Sequence, residues 1–373
     1  MSPSTPSNSP LVLLTGATGL IGFHVLLALL HDNYNVRITV RTEEKAQHLL
    51  SHPVLQPYTS TSTSTPQLTT ILIPDITAPN AFAAALHDIT HIIHTGSPVP
   101  IPGTDPVREI WTPTVTGTAH LLHAALHSPT IQRVLLTSSI VAIIPPAPCS
   151  GSSDPATATP TITPAARVTL PDQITEETIA QQDVFTAYVL AKITALNEAE
   201  AFMKTRTSSF SLAHIIPGYV LGRDRLVTTA DMGVGKPSSC GILLRGLLGM
   251  DGSGPLHGAF VHVDDLAEVF VRVLEREGQE GQKGEDEVET EEKVESWGAY
   301  VPVEFGEAWE VVEQTFPKEV AEGILKRGRL ETITLDVEAR ETEEKVLGRR
   351  FRGFEVAVRD VVGWHLELLG REK

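Results

Sequence analysis

The chain has 373 residues, 41% hydrophobic and 20% charged, with 46 acidic against 29 basic side chains and a formal net charge of −17. That length suits one large α/β domain with a smaller lobe, and the acidic balance argues against a nucleic-acid partner, which needs a basic face to meet phosphates. Two cysteines, Cys149 and Cys240, are too few for a disulfide framework, no Cys/His spacing suggests a metal, and no apolar run reaches the roughly 20 residues of a bilayer span.

Residues 1–10 lack the charged start and apolar run of a secretion signal, so a reducing cytoplasmic compartment is expected, with each cysteine read as a buried thiol in preference to a pocket residue. In chain order, the first half then alternates short apolar β-rich runs with helical patterns, the signature of a Rossmann-type doubly wound parallel sheet with crossover helices. Leu11–Thr15 reads as the first strand and 19–30 as a helix, and 36–40 and 41–50 repeat the pair. Residues 59–70, rich in Ser and Thr, read as a surface loop before a strand at 69–73. Strands are expected at 91–94, 133–137 and 210–216, with helices over 106–127 and 183–204. Between them, 145–171 shows no sustained period and reads as a long loop, functional or disordered.

Beyond residue 216 the pattern changes. Residues 217–258 are Gly-rich and poorly periodic, and their apolar side chains suit core packing or a pocket wall. A short strand at 260–263 and a helix at 265–275 follow. From Glu275 to Glu295 ten acidic residues face three basic ones, seven of the seventeen net negative charges, so 277–296 reads as a solvated acidic loop. Helical runs at 306–314 and 356–369 close the chain. The expected organisation is a dinucleotide-binding domain over 9–216 that returns at about 259–276. A small C-terminal substrate-binding lobe, 217–258 with 297–373, closes over the carboxyl edge of the sheet, where open α/β folds bind ligands.

The first strand runs into Thr15-Gly16-Ala17-Thr18-Gly19-Leu20-Ile21-Gly22 as a helix starts. Gly16 permits a tight turn, Gly19 lets the backbone approach a pyrophosphate, and Gly22 allows close helix–strand packing, while the helix N-terminus offers free N–H groups. The strand–turn–helix context is what a dinucleotide site requires, and no Gly-Lys-Ser/Thr follows as in nucleotidase loops. About 20 residues on, where an acidic residue would hold the ribose of NAD, the second strand ends in Arg41. Arg41 can stack on adenine and grip a 2′-phosphate, with Lys45 one helical turn later. These cations favour NADP (NADPH) over the reading of both as solvated surface groups, although Glu43 and Glu44 weaken the local field.

Tyr188 and Lys192 lie one turn apart on one helix face. A phenol with pKa near 10 shuttles protons poorly at neutral pH, and a neighbouring cation is expected to lower that value. Tyr188 could then give a proton to a carbonyl oxygen, with Lys192 also holding a ribose. Isolated, the pair reads more readily as a surface contact than as a catalytic one. It is joined by the apolar strand ending Thr137-Ser138-Ser139, where Ser139 can bind a carbonyl oxygen and Thr137 and Ser138 line a cofactor or satisfy strand-end groups.

These residues together resemble the extended, atypical short-chain dehydrogenase/reductase family, in the branch of dihydroflavonol, cinnamoyl-CoA and yeast methylglyoxal/ketone reductases. The likeness runs through Thr15 to Gly22, Val40-Arg41 with Lys45, Pro74-Asp75-Ile76, His94-Thr95-Gly96-Ser97-Pro98, Pro113 to Thr118 and Leu136 to Ser139. It continues through Tyr188 to Lys192, Pro217 to Gly222, Val261 to Asp265 and Glu344 to Phe351. The resemblance implies that Asp75 and Ile76 border the adenine and that Thr95, Gly96 and Ser97 run beside the ribose and phosphates. It likewise places Pro217, Gly218 and Val220 at the nicotinamide end, leaves His94 as a packing residue, and gives Ser139, Tyr188 and Lys192 the catalytic roles. Gly96 stands where these reductases have Ala, and Thr114 where sugar epimerases place Asn, which favours the reductase branch.

The expected activity is therefore NADPH-dependent reduction of a ketone or aldehyde to an alcohol, or its reverse. The alternatives are a cofactor-retaining epimerase, dehydratase or isomerase, and a non-enzymatic NADP sensor. The expected partner is a small carbonyl or alcohol, with no metal, nucleic acid or membrane, on a monomer or homodimer.

Overall fold

The structure, a computed structural model, describes residues 10–59, 66–145, 161–171, 174–250, 254–276 and 293–371. Leu11–Thr15 (β1) explains the architecture. Val12, Leu13 and Leu14 are all fully buried, and along the strand they alternate between two separate apolar clusters, one on each face of the sheet. A strand that is apolar on both faces belongs at the centre of a parallel sheet covered by helices.

Around β1 stand Asn35–Val40 (β2), Leu68–Leu72 (β3), His91–His94 (β4), Arg133–Thr137 (β5) and Ser211–Pro217 (β6). After the short strands Tyr219–Leu221 (β7), Leu256–His257 (β8) and Ala259–His262 (β9) comes Val294–Ala299 (β10). The central sheet has the order β10-β6-β5-β4-β1-β2-β3 with every pairing parallel, a Rossmann-like doubly wound α/β fold. The order reverses between β1 and β4, so a crevice opens beyond the carboxyl ends of these two strands, at Thr15 and His94.

The long helices match their expected positions to within a few residues: Leu20–His31, Glu43–Leu50, Thr112–Leu126 after a π-type turn at Pro106–Trp111, Val184–Thr205, Val263–Glu275 and Phe354–Arg371. Among the described residues no helix is long and apolar enough to cross a membrane.

One expectation needs correction and two readings are sharpened. First, the seventh strand, β10, was not anticipated. It takes residues 294–296 out of the expected acidic loop and 297–299 out of the expected lobe, so the boundary at 296/297 falls inside a sheet strand. Glu295 at this edge accepts from Arg133 Nη2 at 2.9 Å and Trp297 Nε1 at 2.7 Å. Residues 277–292 of that loop lie outside the described residues.

Second, the described residues of 217–258, read as poorly periodic, form short regular elements. They include β7, helices Ala230–Gly235 and Ser239–Leu247, and β8. Leu243, Leu244 and Leu247 join Phe260, Phe305 and Trp364 in a second apolar core, so these side chains are core packing. Cys240 is buried there, its thiol 3.2 Å from the Gly222 carbonyl and pushed up to about 12 by burial, whereas Cys149 lies outside the described residues.

Third, the end of the expected loop 145–171 is tied down. Ile162 bridges to Val337, and Val168 is buried with its carbonyl accepting from Asn197 Nδ2 at 2.9 Å. Asp265, fully buried, ties the helix Val263–Glu275 to the segment before the last helix, accepting from Arg349 Nη2 at 2.8 Å and from the Arg352 amide at 2.7 Å.

Candidate active site

The turn after β1 is held by backbone approach closer than any side chain permits. Gly16 has φ +78°, and a Cβ there would lie 2.6 Å from the Gly96 nitrogen, while a Cβ on Gly22 would lie 2.2 Å from the Gly16 carbonyl oxygen. Gly19 differs: its Cβ would meet nothing nearer than that same oxygen at 3.4 Å. The turn is thus locked on its protein side and open over Gly19.

Gly19 is the N-cap of Leu20–His31, with no side-chain cap and no acidic residue in the first turn, which leaves the amides of Leu20, Ile21 and Gly22 pointing outward. The next helix is the contrary case. Thr42 caps it by accepting from the Lys45 amide, and Glu43 and Glu44 occupy its first turn.

The adjoining β4 turn is stitched to this one. The Thr15 hydroxyl bonds His94 Nδ1 at 2.8 Å and accepts from the Gly96 amide at 3.1 Å, while Thr95 Oγ1 donates to the Thr15 carbonyl at 2.7 Å. An alanine at Gly96 would bring its Cβ to 3.1 Å from the Thr15 hydroxyl, which gives the glycine here a local reason. Burial, helped by the charge of Lys192, pushes His94 down to about 4, so it is a neutral packing imidazole near neutral pH.

Arg41 and Lys45, paired in the sequence, have different neighbours in the structure. Arg41 is exposed near Asp75, whose carboxyl is held below its ordinary value by the Thr77 hydroxyl and amide, with Arg41 adding to the effect. Ile76 lies under Gly117. Lys45 instead faces a cavity of about 460 Å³ that also touches Thr18.

Two strands away, Ser138 is buried and its amide donates to the Ile215 carbonyl at 2.8 Å, which fixes the end of β5 beside β6. Pro217 ends β6, the Gly218 amide donates to the Ala299 carbonyl at 3.0 Å, and Val220 continues in β7. The helix Val184–Thr205 crosses this edge, started by Asp183, which accepts from the Phe185 and Thr186 amides at 3.0 Å each. It carries Tyr188 and buried Lys192. Lys192 Nζ donates to the Thr137 carbonyl at 3.0 Å and lies 5.9 Å from the Tyr188 ring centre.

Ser139 hydrogen-bonds the Tyr188 phenol, so strand end and helix meet at these two hydroxyls. Burial pushes the phenol up and the Ser139 bond opposes it, a net direction opposite to the lowering expected from Lys192. Burial also brings Lys192 itself down to about 8. Behind it, a cavity of about 20 Å³ is lined by Ser97, Thr114, Thr137, Ser138 and His214. The Ser97, Thr137 and Ser138 hydroxyls are buried without a protein partner.

Several residues at the site had not been singled out. Phe185, 42% exposed, stacks on His257 at 6.4 Å and 17° and stands 6.5 Å from the Tyr188 ring. Tyr219 lies close by, pushed up to about 12 by burial and by the neighbouring Tyr188. Phe185 could have been found from its position one turn before Tyr188. His257 carries no local signal, since a short strand of the second core brings it in, whereas Tyr219 lies inside the matched run Pro217 to Gly222 without a role assigned there. Among the described residues no cluster of metal-ligating side chains occurs.

The chain matches the profile of the NAD dependent epimerase/dehydratase family over residues 12–286. It is similar to the NAD-dependent epimerase/dehydratase ALT6 of Alternaria alternata, 31% identical with 94% of this chain and 96% of that protein covered. The ketoreductase CTB6 of Cercospora nicotianae is also 31% identical, over 96% of this chain and 95% of its own length. In fold it is similar to yeast methylglyoxal/isovaleraldehyde reductase Gre2, solved in complex with NADPH, with a TM-score of 0.73 at 22% identity, covering 97% of this chain and 99% of that one.

Proposed function

The chain belongs to the NAD dependent epimerase/dehydratase family, among the extended short-chain dehydrogenases/reductases, and from that premise we propose that it reduces a ketone or aldehyde to an alcohol with NADPH. The observation that carries this reading is the meeting of Ser139, Tyr188 and Lys192 at the sheet edge that also bears the open glycine turn.

The residues present fit the cofactor. The uncapped amides of Leu20, Ile21 and Gly22, with Gly16, Thr18 and the open face of Gly19, suit a pyrophosphate. Arg41 and Lys45 suit a 2′-phosphate, and Asp75 and Ile76 suit the adenine. Thr95, Gly96 and Ser97 suit the ribose and phosphates, Thr137 and Ser138 suit the cofactor's flank at the end of β5, and Pro217, Gly218 and Val220 suit its nicotinamide end. A ketoreductase among the relatives and NADPH in the Gre2 structure support the same choice.

Bound NADPH would supply the hydride to the carbonyl carbon. Ser139 holds the carbonyl oxygen and Tyr188 donates its proton there, leaving an alcohol and a phenolate that is reprotonated from solvent. The buried phenol stays protonated at neutral pH, the form a donor needs. Lys192, with Nζ 5.9 Å from the centre of the Tyr188 ring, attracts the phenolate charge as it forms.

The test is NADPH consumption, followed by fluorescence, against a panel of bulky ketones, aldehydes and acyl thioesters. Stoichiometric oxidation with alcohol product supports the reading. Turnover of any of these without net cofactor oxidation would point to an epimerase- or dehydratase-type cycle.

A further inference from the structure

The cavity of about 460 Å³ has two walls from different parts of the fold, and its size is that of a ligand site. One wall is Thr18 of the glycine turn with Lys45 and His48 of the second helix; the other is Val227, Met232 and Lys236, from the segment after β7. This second wall is a built structure. The buried Asp224 carboxylate caps the Leu226 amide at 3.1 Å and holds Lys236 Nζ at 2.5 Å, and the Lys236 amide donates to the Met232 carbonyl at 3.0 Å. An ammonium carries three donors, so with one given to Asp224 two remain. Met232, 51% exposed, stands over the same space.

We propose that Lys236 is a cofactor-binding residue supplied by the C-terminal part of the chain, meeting across this cavity the same 2′-phosphate that Lys45 meets from the second helix. Asp224 is then a positioning residue that aims the ammonium. The inference rests on the reading of NADPH as cofactor and adds to it a cation that lies nearly 200 residues from Arg41 and Lys45 in the chain. It also ties the far wall of the cavity to the nucleotide, so that the cofactor's phosphate bridges the two parts of the fold.

The experiment uses the full chain and two probes, 2′,5′-adenosine bisphosphate and 5′-AMP, with calorimetric affinities for the parent, Lys236→Gln and Lys236→Arg. The expected result is a parent that prefers the bisphosphate and a Lys236→Gln variant that loses about tenfold in bisphosphate affinity while keeping AMP affinity, with Lys236→Arg retaining most of the preference. Because the substitution also disturbs the Asp224 pair, the parent itself supplies a second readout. Bisphosphate, but not AMP or inorganic phosphate at equal concentration, should shield Lys236 from acetylation.

A parent that binds both nucleotides equally overturns the NADPH reading and this proposal with it. A parent that prefers the bisphosphate, with Lys236→Gln unchanged and Lys236 unshielded, overturns the proposal alone. Equal shielding by inorganic phosphate would make the cavity a general anion site and overturn the assignment to the cofactor.

Discussion

Lys192 Nζ lies 5.9 Å from the centre of the Tyr188 ring, and its hydrogen bond goes not to that ring but across to the Thr137 carbonyl at 3.0 Å. One side chain thus pins the helix bearing the phenol to the strand end bearing Ser139. Burial lowers Lys192 from 10.5 to about 8. A lowered pKa means that the ammonium is held below pH 8 and lost as pH rises through that value.

The carbonyl-reduction kcat/KM should therefore fall as pH rises through about 8, since this parameter reports ionisations of the free enzyme. Lys192→Met should lower activity and erase that limb. A parent profile flat to pH 9.5 would remove Lys192 from the mechanism.

The glycines of the first turn should separate folding from binding. Gly22→Ala places a Cβ 2.2 Å from the Gly16 carbonyl, a backbone clash that cannot be relieved by a rotamer, and should cost several degrees of melting temperature at least. Gly19→Ala meets ordinary contact at 3.4 Å and should melt near the parent while binding NADPH about tenfold or more weakly. Equal melting losses in both variants would contradict the division of roles.

Arg41→Ala should weaken NADPH by about tenfold or more and NADH by little, because the function proposed above pairs the guanidinium with the 2′-phosphate. Affinities from quenching titrations decide it. Similar losses for both nucleotides would leave Arg41 with adenine stacking alone.

Acid should unfold the chain early. Buried His91, His94 and His214 are each lowered from 6.5 to about 4 by burial. In that window the unfolded chain binds protons that the folded chain does not. The histidines' contribution is complete above about 6.5 and declines as pH falls towards 4, by about 1.4 kcal/mol per pH unit for each. Urea unfolding at pH 7, 6, 5 and 4 measures it, and His214→Asn should reduce the slope. Stability constant across this range would mean that these imidazoles titrate normally.

What was legible in the sequence was local. The six strands from Leu11–Thr15 to Ser211–Pro217, the glycine turn and the Tyr/Lys spacing each write their pattern into a few neighbouring residues. Val294–Ala299 was hidden because its polar Glu295 is balanced by Arg133, more than 160 positions away, and its stretch follows an acidic run. The elements inside 217–258 are short, and packing against both cores holds them. The direction of the Tyr188 shift was misjudged for a related reason: the ammonium one turn away is visible in the sequence, whereas burial of the phenol is a tertiary fact. Lys236 gave no signal, since what makes it notable is Asp224 behind it and Lys45 across the cavity.

The most direct measurement is single-turnover oxidation of bound NADPH by a carbonyl substrate in the parent and in Tyr188→Phe, with NADPH affinity measured alongside. The expected rate is lower by about 10²- to 10⁴-fold, the ordinary worth of a general acid, with an affinity within about twofold of the parent. A Tyr188→Phe protein that oxidises NADPH at the parent rate would show that the proton comes from elsewhere.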